Sequence, residues 1–385
     1  MTDKPATPQA KNGVKNGATK REFNVTILIL TLTLSSFGIL MVYSSSSLMA
    51  LRDYEDSLYF LKRQAMFAAL GTGVMLLAMH INYNVWRRLA IPLLILSTIL
   101  LAAVFIPGVG SKAGGAARWI KFPGFTFQPS EAAKIALIFY LAHSATKKED
   151  RIRDFRYGFI PYMCVLMVWL GLMLAQRDLG GAAIMAVVTA MMLLIAGTRW
   201  RHLLLSLATI IPVGVYTVMA KEYRMQRIMA FLDPWADPLG AGFQIIQSWM
   251  GFGLGGLSGA GLGEGEQKRF YLPEAHTDFI FSVIGEELGF IAVVLLICMY
   301  LSIVVMGLRI AMHAADGFGR LSAFGISLLL GMQAFANMAV VMGIVPNKGL
   351  ALPFLSYGGS SLLCTMFSMG VLLNISSRVS RETAR

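Results

Sequence analysis

At 385 residues, 56% hydrophobic and 14% charged, the chain is too apolar for a water-soluble domain and reads as a polytopic membrane protein. Its net charge of +12 would suggest nucleic acid in a soluble protein, but here the basic residues cluster between apolar runs. Membrane orientation accounts for them, and no nucleic-acid partner is expected. Cys164, Cys298 and Cys364 each sit inside an apolar run without partner spacing, which argues against a disulfide framework or a cysteine-based metal site.

Residues 1–22, rich in Ala, Asn, Gly, Pro and Lys, read as a disordered basic cytoplasmic tail. The apolar run 23–49 reads as a signal anchor, not a cleaved signal peptide. Further apolar windows at 62–80, 87–107, 130–145, 158–175, 180–198, 202–220, 278–307, 321–344 and 357–377 bring the expected count to about ten transmembrane helices. The expected fold is an all-α integral membrane protein. Residues 23–378 form one polytopic domain and 379–385 a short cytoplasmic tail.

Both termini then face the same side, which collects 19 of the Lys and Arg residues against 13 opposite, with Lys134 left inside a span. The richer side is assigned as cytoplasmic. The outer cations concentrate in loops 108–128, 221–276 and 344–356. Positive charge held there against the orientation trend predicts an anionic ligand such as a phosphate. The alternative is pairing with Asp233, Asp237, Glu264, Glu266 and Glu274.

The outer loop 221–276, between helices seven and eight, is the longest connection, and a loop of that length is usually functional or disordered. Its segment 231–248 holds a turn-rich stretch, then an apolar one expected to dip into or lie on the membrane. A glycine-rich stretch follows at 251–265. Within it Gly251-Phe-Gly253-Leu-Gly-Gly256 satisfies GxGxxG, but no strand precedes it, so close backbone packing is expected and dinucleotide binding is not. Arg227, Gln244, Glu274 and His276, all on this loop, join the candidate substrate-binding residues.

The loop ends where 270–289 turns from polar to apolar while keeping its acids. Asp278 stands at that entrance, where bilayer meets water, and a carboxylate so placed is a functional candidate. If a helix begins near it, Ser282, Gly285, Glu286 and Gly289 share its face. Such a stripe faces the bundle interior or a water-filled cavity. A simple helix cap at Thr277 and Asp278 is the competing reading. Glu286 and Glu287 are expected to pair with interior cations such as Lys134.

Two further constellations lie on the outer side. One comprises Arg118, Trp119 and Lys121, followed by Gln128, Pro129, Ser130, Glu131 and Lys134. Arg118 has the fork to grip a phosphate, and Trp119 suits headgroup depth, either as an anchor or as a binding surface. The other, 343–361, breaks the chain between the last two spans with Pro346, Lys348, Pro353 and several glycines. Irregular backbone at membrane depth must be buried in protein or line a cavity.

Together these stretches resemble the SEDS family (shape, elongation, division and sporulation) of bacterial cell-wall polymerases, over residues 24–378. Pro273-Glu-Ala-His-Thr-Asp-Phe-Ile-Phe-Ser-Val-Ile-Gly-Glu-Glu and Val345-Pro-Asn-Lys-Gly-Leu look like its division branch more than its elongation branch. The resemblance implies an inner-membrane glycosyltransferase polymerising lipid II at the outer face. The family's essential acid carries over onto Asp278, and other motif positions onto Arg118, Trp119, Gln128, Glu131, Lys134 and Lys348. Gln176-Arg177-Asp178 departs from the family pattern, where a proline commonly precedes the aspartate, leaving the role of Asp178 open. A class B penicillin-binding protein, other division-machinery membrane proteins and membrane lipids are the implied partners.

In this chemistry Asp278 would act as general base for an acceptor hydroxyl, with Arg118, Lys348 and Arg227 stabilising a lipid pyrophosphate. No all-protein metal cage is visible. Mg²⁺ or Mn²⁺ held by one carboxylate and substrate phosphates is compatible with the sequence. The rival readings are a lipid II flippase using the same intramembrane charges, an elongation-type polymerase, and a scaffold without chemistry.

Overall fold

In a computed structural model, which describes residues 23–113, 116–122, 125–219, 222–268, 275–346 and 349–379, a helix lies over every predicted apolar window. These are α1 (Val25–Tyr54), α2 (Tyr59–His80), α3 (Asn84–Ala103), α4 (Pro129–Lys147), α5 (Ile160–Ala175), α6 (Leu179–Ile195), α7 (Trp200–Met219), α10 (Ile280–Met312), α11 (Gly317–Val341) and α12 (Gly359–Ser376). Two shorter helices, α8 (Glu222–Leu232) and α9 (Phe243–Gly255), fall inside the long loop. Among the described residues six segments are long and apolar enough to cross a membrane: α1, α3, α5 with its preceding turn, α10, α11 and α12. Helix α6 is apolar but shorter, at 17 residues.

Side chains fix several helix starts by accepting otherwise orphaned backbone N–H groups. Asn24 takes the N–H of Ile27 at 3.1 Å, Asp178 that of Gly181 at 2.9 Å and Asp316 that of Gly319 at 2.6 Å. The resulting bundle packs α2 on α12, α10 on α11 and α3 on α4. Trp169, Tyr162, Phe139, Phe281 and Phe318 are among its largest wholly buried side chains. Cys164, Cys298 and Cys364 are free thiols.

One addition to the all-α expectation lies between α3 and α4. There β1 (Gly110–Ala113), β2 (Ala116–Phe122) and β3 (Phe125–Phe127) form an antiparallel meander. Ser111 stands opposite Trp119 and Lys121 opposite Thr126. Strand β3 feeds through Gln128 into α4, whose first turn holds Pro129, where a missing N–H costs nothing.

A second departure is a break in α10 at Gly289, with φ 75° and ψ −175°. The preceding half-helix, 280–288, is almost entirely buried. A broken helix at this depth needs partners for the backbone groups it frees. The carbonyls of Glu286 and Glu287 accept from the N–H groups of Ala260 at 2.9 Å and Gly261 at 3.0 Å. The N–H groups of Phe290 and Ile291 donate to the carbonyls of Gly256 at 2.9 Å and Leu257 at 3.3 Å. The glycine-rich stretch therefore serves close backbone packing, since a Cβ at Gly255 would stand 2.0 Å from the Gly285 carbonyl oxygen.

Candidate active site

Asp278 is half-buried in a turn, 275–279, immediately ahead of α10. Phe279 rather than Asp278 holds the N-cap position of that helix. The turn is laced to the loop before α12 on both flanks of the acid. Asn337, buried on α11, donates through Nδ2 to the carbonyls of Asp278 at 2.8 Å and Leu350 at 2.6 Å. Ser356 donates to the Thr277 carbonyl at 2.5 Å and accepts from the N–H of Leu352 at 2.8 Å, while Tyr357 N–H donates to the His276 carbonyl at 2.9 Å. The carboxylate itself approaches Gly349, where a Cβ would stand 2.8 Å from Oδ2.

His276 is buried, its ring 4.7 Å from that of Phe60 and 5.8 Å from that of Tyr357. Arg63, near the N-terminus of α2, stacks on Tyr59 at 4.7 Å. Burial pushes the Tyr357 hydroxyl above its ordinary range, and Arg63 pulls it back toward that range. Asn337 and Gly349 thus belong to the surroundings of Asp278; Gly349 lies in the 345–350 motif, whereas no sequence motif singled out Asn337 or Arg63. Arg63 was visible only as one of the outer-face cations.

At the head of α4 the Gln128 N–H donates to Ser360 at 3.3 Å, tying this helix to the start of α12. Glu131 and Lys134 enter the bundle together because they pair with each other, Nζ to Oε1 at 2.8 Å, with side-chain exposures of 13% and 4%. Arg118 donates through Nε to the Gln176 carbonyl at 3.2 Å and through Nη2 to the Arg177 carbonyl at 2.5 Å. It latches the sheet to the α5–α6 turn. Asp178 caps α6, and Gly180 lets that helix approach Leu350, so the turn also reaches the loop beside Asp278. Trp119 is half-buried and Lys121 exposed on β2. Arg227 is exposed on α8 and Gln244 half-buried on α9. Glu274 and Lys348 lie outside the described residues.

The expected pairing of Glu286 and Glu287 with Lys134 is corrected by the long loop, which folds back over the half-helix. Lys268 Nζ lies 2.7 Å from Glu287 Oε1, and Ser44 donates to the same carboxylate at 2.6 and 2.7 Å. Glu286 accepts the N–H groups of Glu266 at 2.6 Å and Gln267 at 3.2 Å. Ser282 donates to the Ser248 carbonyl of α9 at 3.0 Å. From Ser282 onward the polar stripe therefore faces α9 and the glycine-rich loop. Asp233 and Asp237 accept backbone N–H groups of Trp235 at 3.1 Å and Ala241 at 2.8 Å in their own turns.

The arrangement offers one partly buried carboxylate held through its own backbone, beside a glycine and an irregular loop at the end of a helical bundle. A group so placed can accept a proton from a bound hydroxyl. Among the described residues no three His, Cys, Asp or Glu side chains come together to hold a metal ion. A divalent ion at Asp278 would depend on substrate oxygens for its other ligands.

A multi-pass helical membrane protein, with a buried broken helix presenting an acid at one end of the bundle, is the class these features define. The family described as cell cycle protein, comprising FtsW, RodA and SpoVE, matches residues 24–381, and the chain belongs to it. It is 54% identical to the probable peptidoglycan glycosyltransferase FtsW of Geobacter sulfurreducens over 357 residues, 93% of this chain and 96% of that one. It is 42% identical to the stage V sporulation protein E of Bacillus subtilis, across 92% of this chain and 97% of that one. Among solved structures, a chain of a peptidoglycan synthase complex that coordinates polymerization and crosslinking superposes with a TM-score of 0.76 at 31% identity, covering 93% of this chain and 99% of that one. The rod shape determining protein RodA of Thermus thermophilus superposes with a TM-score of 0.69 at 27% identity, over 93% and 98% of the two chains.

Proposed function

We propose that the chain is a peptidoglycan glycosyltransferase that polymerises lipid II into glycan strands at the outer membrane face during septal wall synthesis. The placement of Asp278 carries this reading, as an acid at the mouth of the bundle with its backbone tied on both flanks. The activity named for the 54% identical relative agrees with it. The Asp278 carboxylate takes the proton of an acceptor sugar hydroxyl as that oxygen attacks the anomeric carbon of a second lipid-linked sugar. The lipid pyrophosphate leaves with the bonding electrons, and the configuration inverts, so one base suffices and no covalent intermediate is needed. Arg118, Arg227 and Lys348 supply positive charge for the pyrophosphate. Gln128, Gln244, His276, Glu274 and the Glu131–Lys134 pair shape the binding surface.

The protein lies in the bacterial inner membrane with both termini cytoplasmic, consistent with its charge distribution. A class B penicillin-binding protein is its transpeptidase partner, in keeping with the synthase complex that its fold matches. The test is polymerisation of purified lipid II by the full chain with and without that partner. Glycan strands with inverted linkage support the enzyme. Labelled lipid II crossing a vesicle bilayer with no polymer formed supports a flippase instead, and neither outcome leaves only the scaffold.

A further inference from the structure

The end of the bundle away from Asp278 holds a cavity of about 450 Å³, lined by Ile91, Tyr140, His143, Ser144, Lys147, Lys148, Asp150 and Arg151. Helix α4 begins beside Ser360 and runs for 19 residues, so its last turn lies roughly 28 Å from the acid's end of the bundle. The volume falls in the range of small-molecule sites.

Its lining has one anionic and three cationic side chains. Lys147 closes α4, Lys148 follows it, and the 3-10 turn Glu149–Arg151 brings Arg151 back to the same wall. Among the described residues none of these cations forms a salt bridge. The Lys148 ammonium stands over the Tyr162 ring at 5.8 Å from its centre, a cation–π contact at the cavity wall. His143 presents a buried Nδ1 without a hydrogen-bond partner, and Arg87 adds further positive potential beside it. Nothing in the proposed glycosyl transfer uses these groups.

The apolar part of the lining decides what kind of anion fits. Ile91 continues along α3 into Ile95 and Ile99, at i+4 and i+8, so the three share one face. They are 48%, 56% and 58% exposed. A cationic pocket opening onto an apolar track along a membrane-crossing helix suits a molecule with both a phosphate and hydrocarbon chains. We propose that this cavity binds the phosphate head group of an anionic phospholipid, whose acyl chains lie along the Ile91–Ile95–Ile99 face of α3. Lys147, Lys148 and Arg151 hold the phosphate oxygens, and the site is specific relative to the rest of this membrane surface.

The test delipidates the purified full chain stepwise and follows retained lipid by native mass spectrometry. Wild type is expected to retain phosphatidylglycerol and release phosphatidylcholine. The K147Q/K148Q/R151Q variant is expected to bind phosphatidylglycerol roughly 100-fold more weakly. R199Q/R201Q, which removes charge from the α6–α7 turn, is expected to keep it, as is K147R/K148R/R151K. Phosphatidylglycerol is also expected to raise the melting temperature of wild type where phosphatidylcholine does not, a readout that stands if the triple Gln variant fails to fold. Equal retention in the triple Gln variant, equal loss in R199Q/R201Q, or displacement of the lipid by inorganic phosphate alone would overturn the proposal.

Discussion

Gly349 and Asp278 face each other so closely that a methyl group on Gly349 would stand 2.8 Å from Oδ2 of the carboxylate. That atom is the far end of a side chain, so the fold tolerates Gly349→Ala while the acid must swing aside. A base displaced by about 1 Å from its productive position loses on the order of 100-fold in rate. Gly349→Ala is therefore expected to lower kcat for glycan polymerisation by that order with an almost unchanged melting temperature. Full activity in the variant would show that the carboxylate position seen here is not the working one.

Lys268 and Glu287 form a pair whose side chains are 5% and 0% exposed. Removing one partner leaves a buried charge without compensation, at a cost of roughly 3–5 kcal/mol. Lys268→Met should lower the melting temperature sharply, and Lys268→Met with Glu287→Met should recover most of the loss. If the double variant melts no higher than the single one, the ion pair is not what closes the loop over the half-helix.

Gly289 and Gly253 provide a matched comparison. A Cβ at Gly289 would lie 2.3 Å from the backbone nitrogen of Gly259, at a φ of 75° that side chains rarely adopt, whereas a Cβ at Gly253 meets nothing within 4 Å. Gly289→Ala is expected to destabilise by roughly 3 kcal/mol or more. Gly253→Ala, inside α9, is expected to stabilise by about 0.5–1 kcal/mol. Thermal unfolding of both variants checks the order, and a neutral Gly289→Ala would contradict the broken-helix packing.

Arg118 holds two backbone carbonyls, those of Gln176 and Arg177, through separate N–H groups of one planar fork. A lysine cannot span both in that geometry. Arg118→Lys should cost about 1–3 kcal/mol of stability and loosen the sheet from the α5–α6 turn, which hydrogen–deuterium exchange at 116–122 would report. Unchanged exchange would return Arg118 to a purely ligand-binding role.

What the sequence disclosed follows from how local each feature is. Apolar windows mark helices because length and hydropathy suffice, and every window carries one. The entrance at Asp278 was legible because a carboxylate there contrasts with its apolar neighbours. The glycine-rich stretch announced close packing. Its partner was hidden, because hydropathy runs unbroken through Gly289 into Phe290 and Ile291 and gives no sign of a broken helix. The pairing of Glu287 with Lys268 and Ser44 depends on how a long loop folds back, which spacing does not encode. The fork of Arg118 suggested a phosphate, while its hold on carbonyls 58 and 59 residues away is a long-range contact that spacing does not encode. The β1–β3 meander was missed because its strands are short and lie in a loop defined only by the helices around it.

The central claim is that Asp278 is the base of a glycosyl transfer. The most direct measurement is lipid II polymerisation by purified wild type and Asp278→Asn, each assayed with the same penicillin-binding partner and checked for equal melting temperature. Wild type is expected to form glycan strands, and the folded variant to lose at least about 100-fold in rate. Polymerisation by Asp278→Asn at the wild-type rate would contradict it.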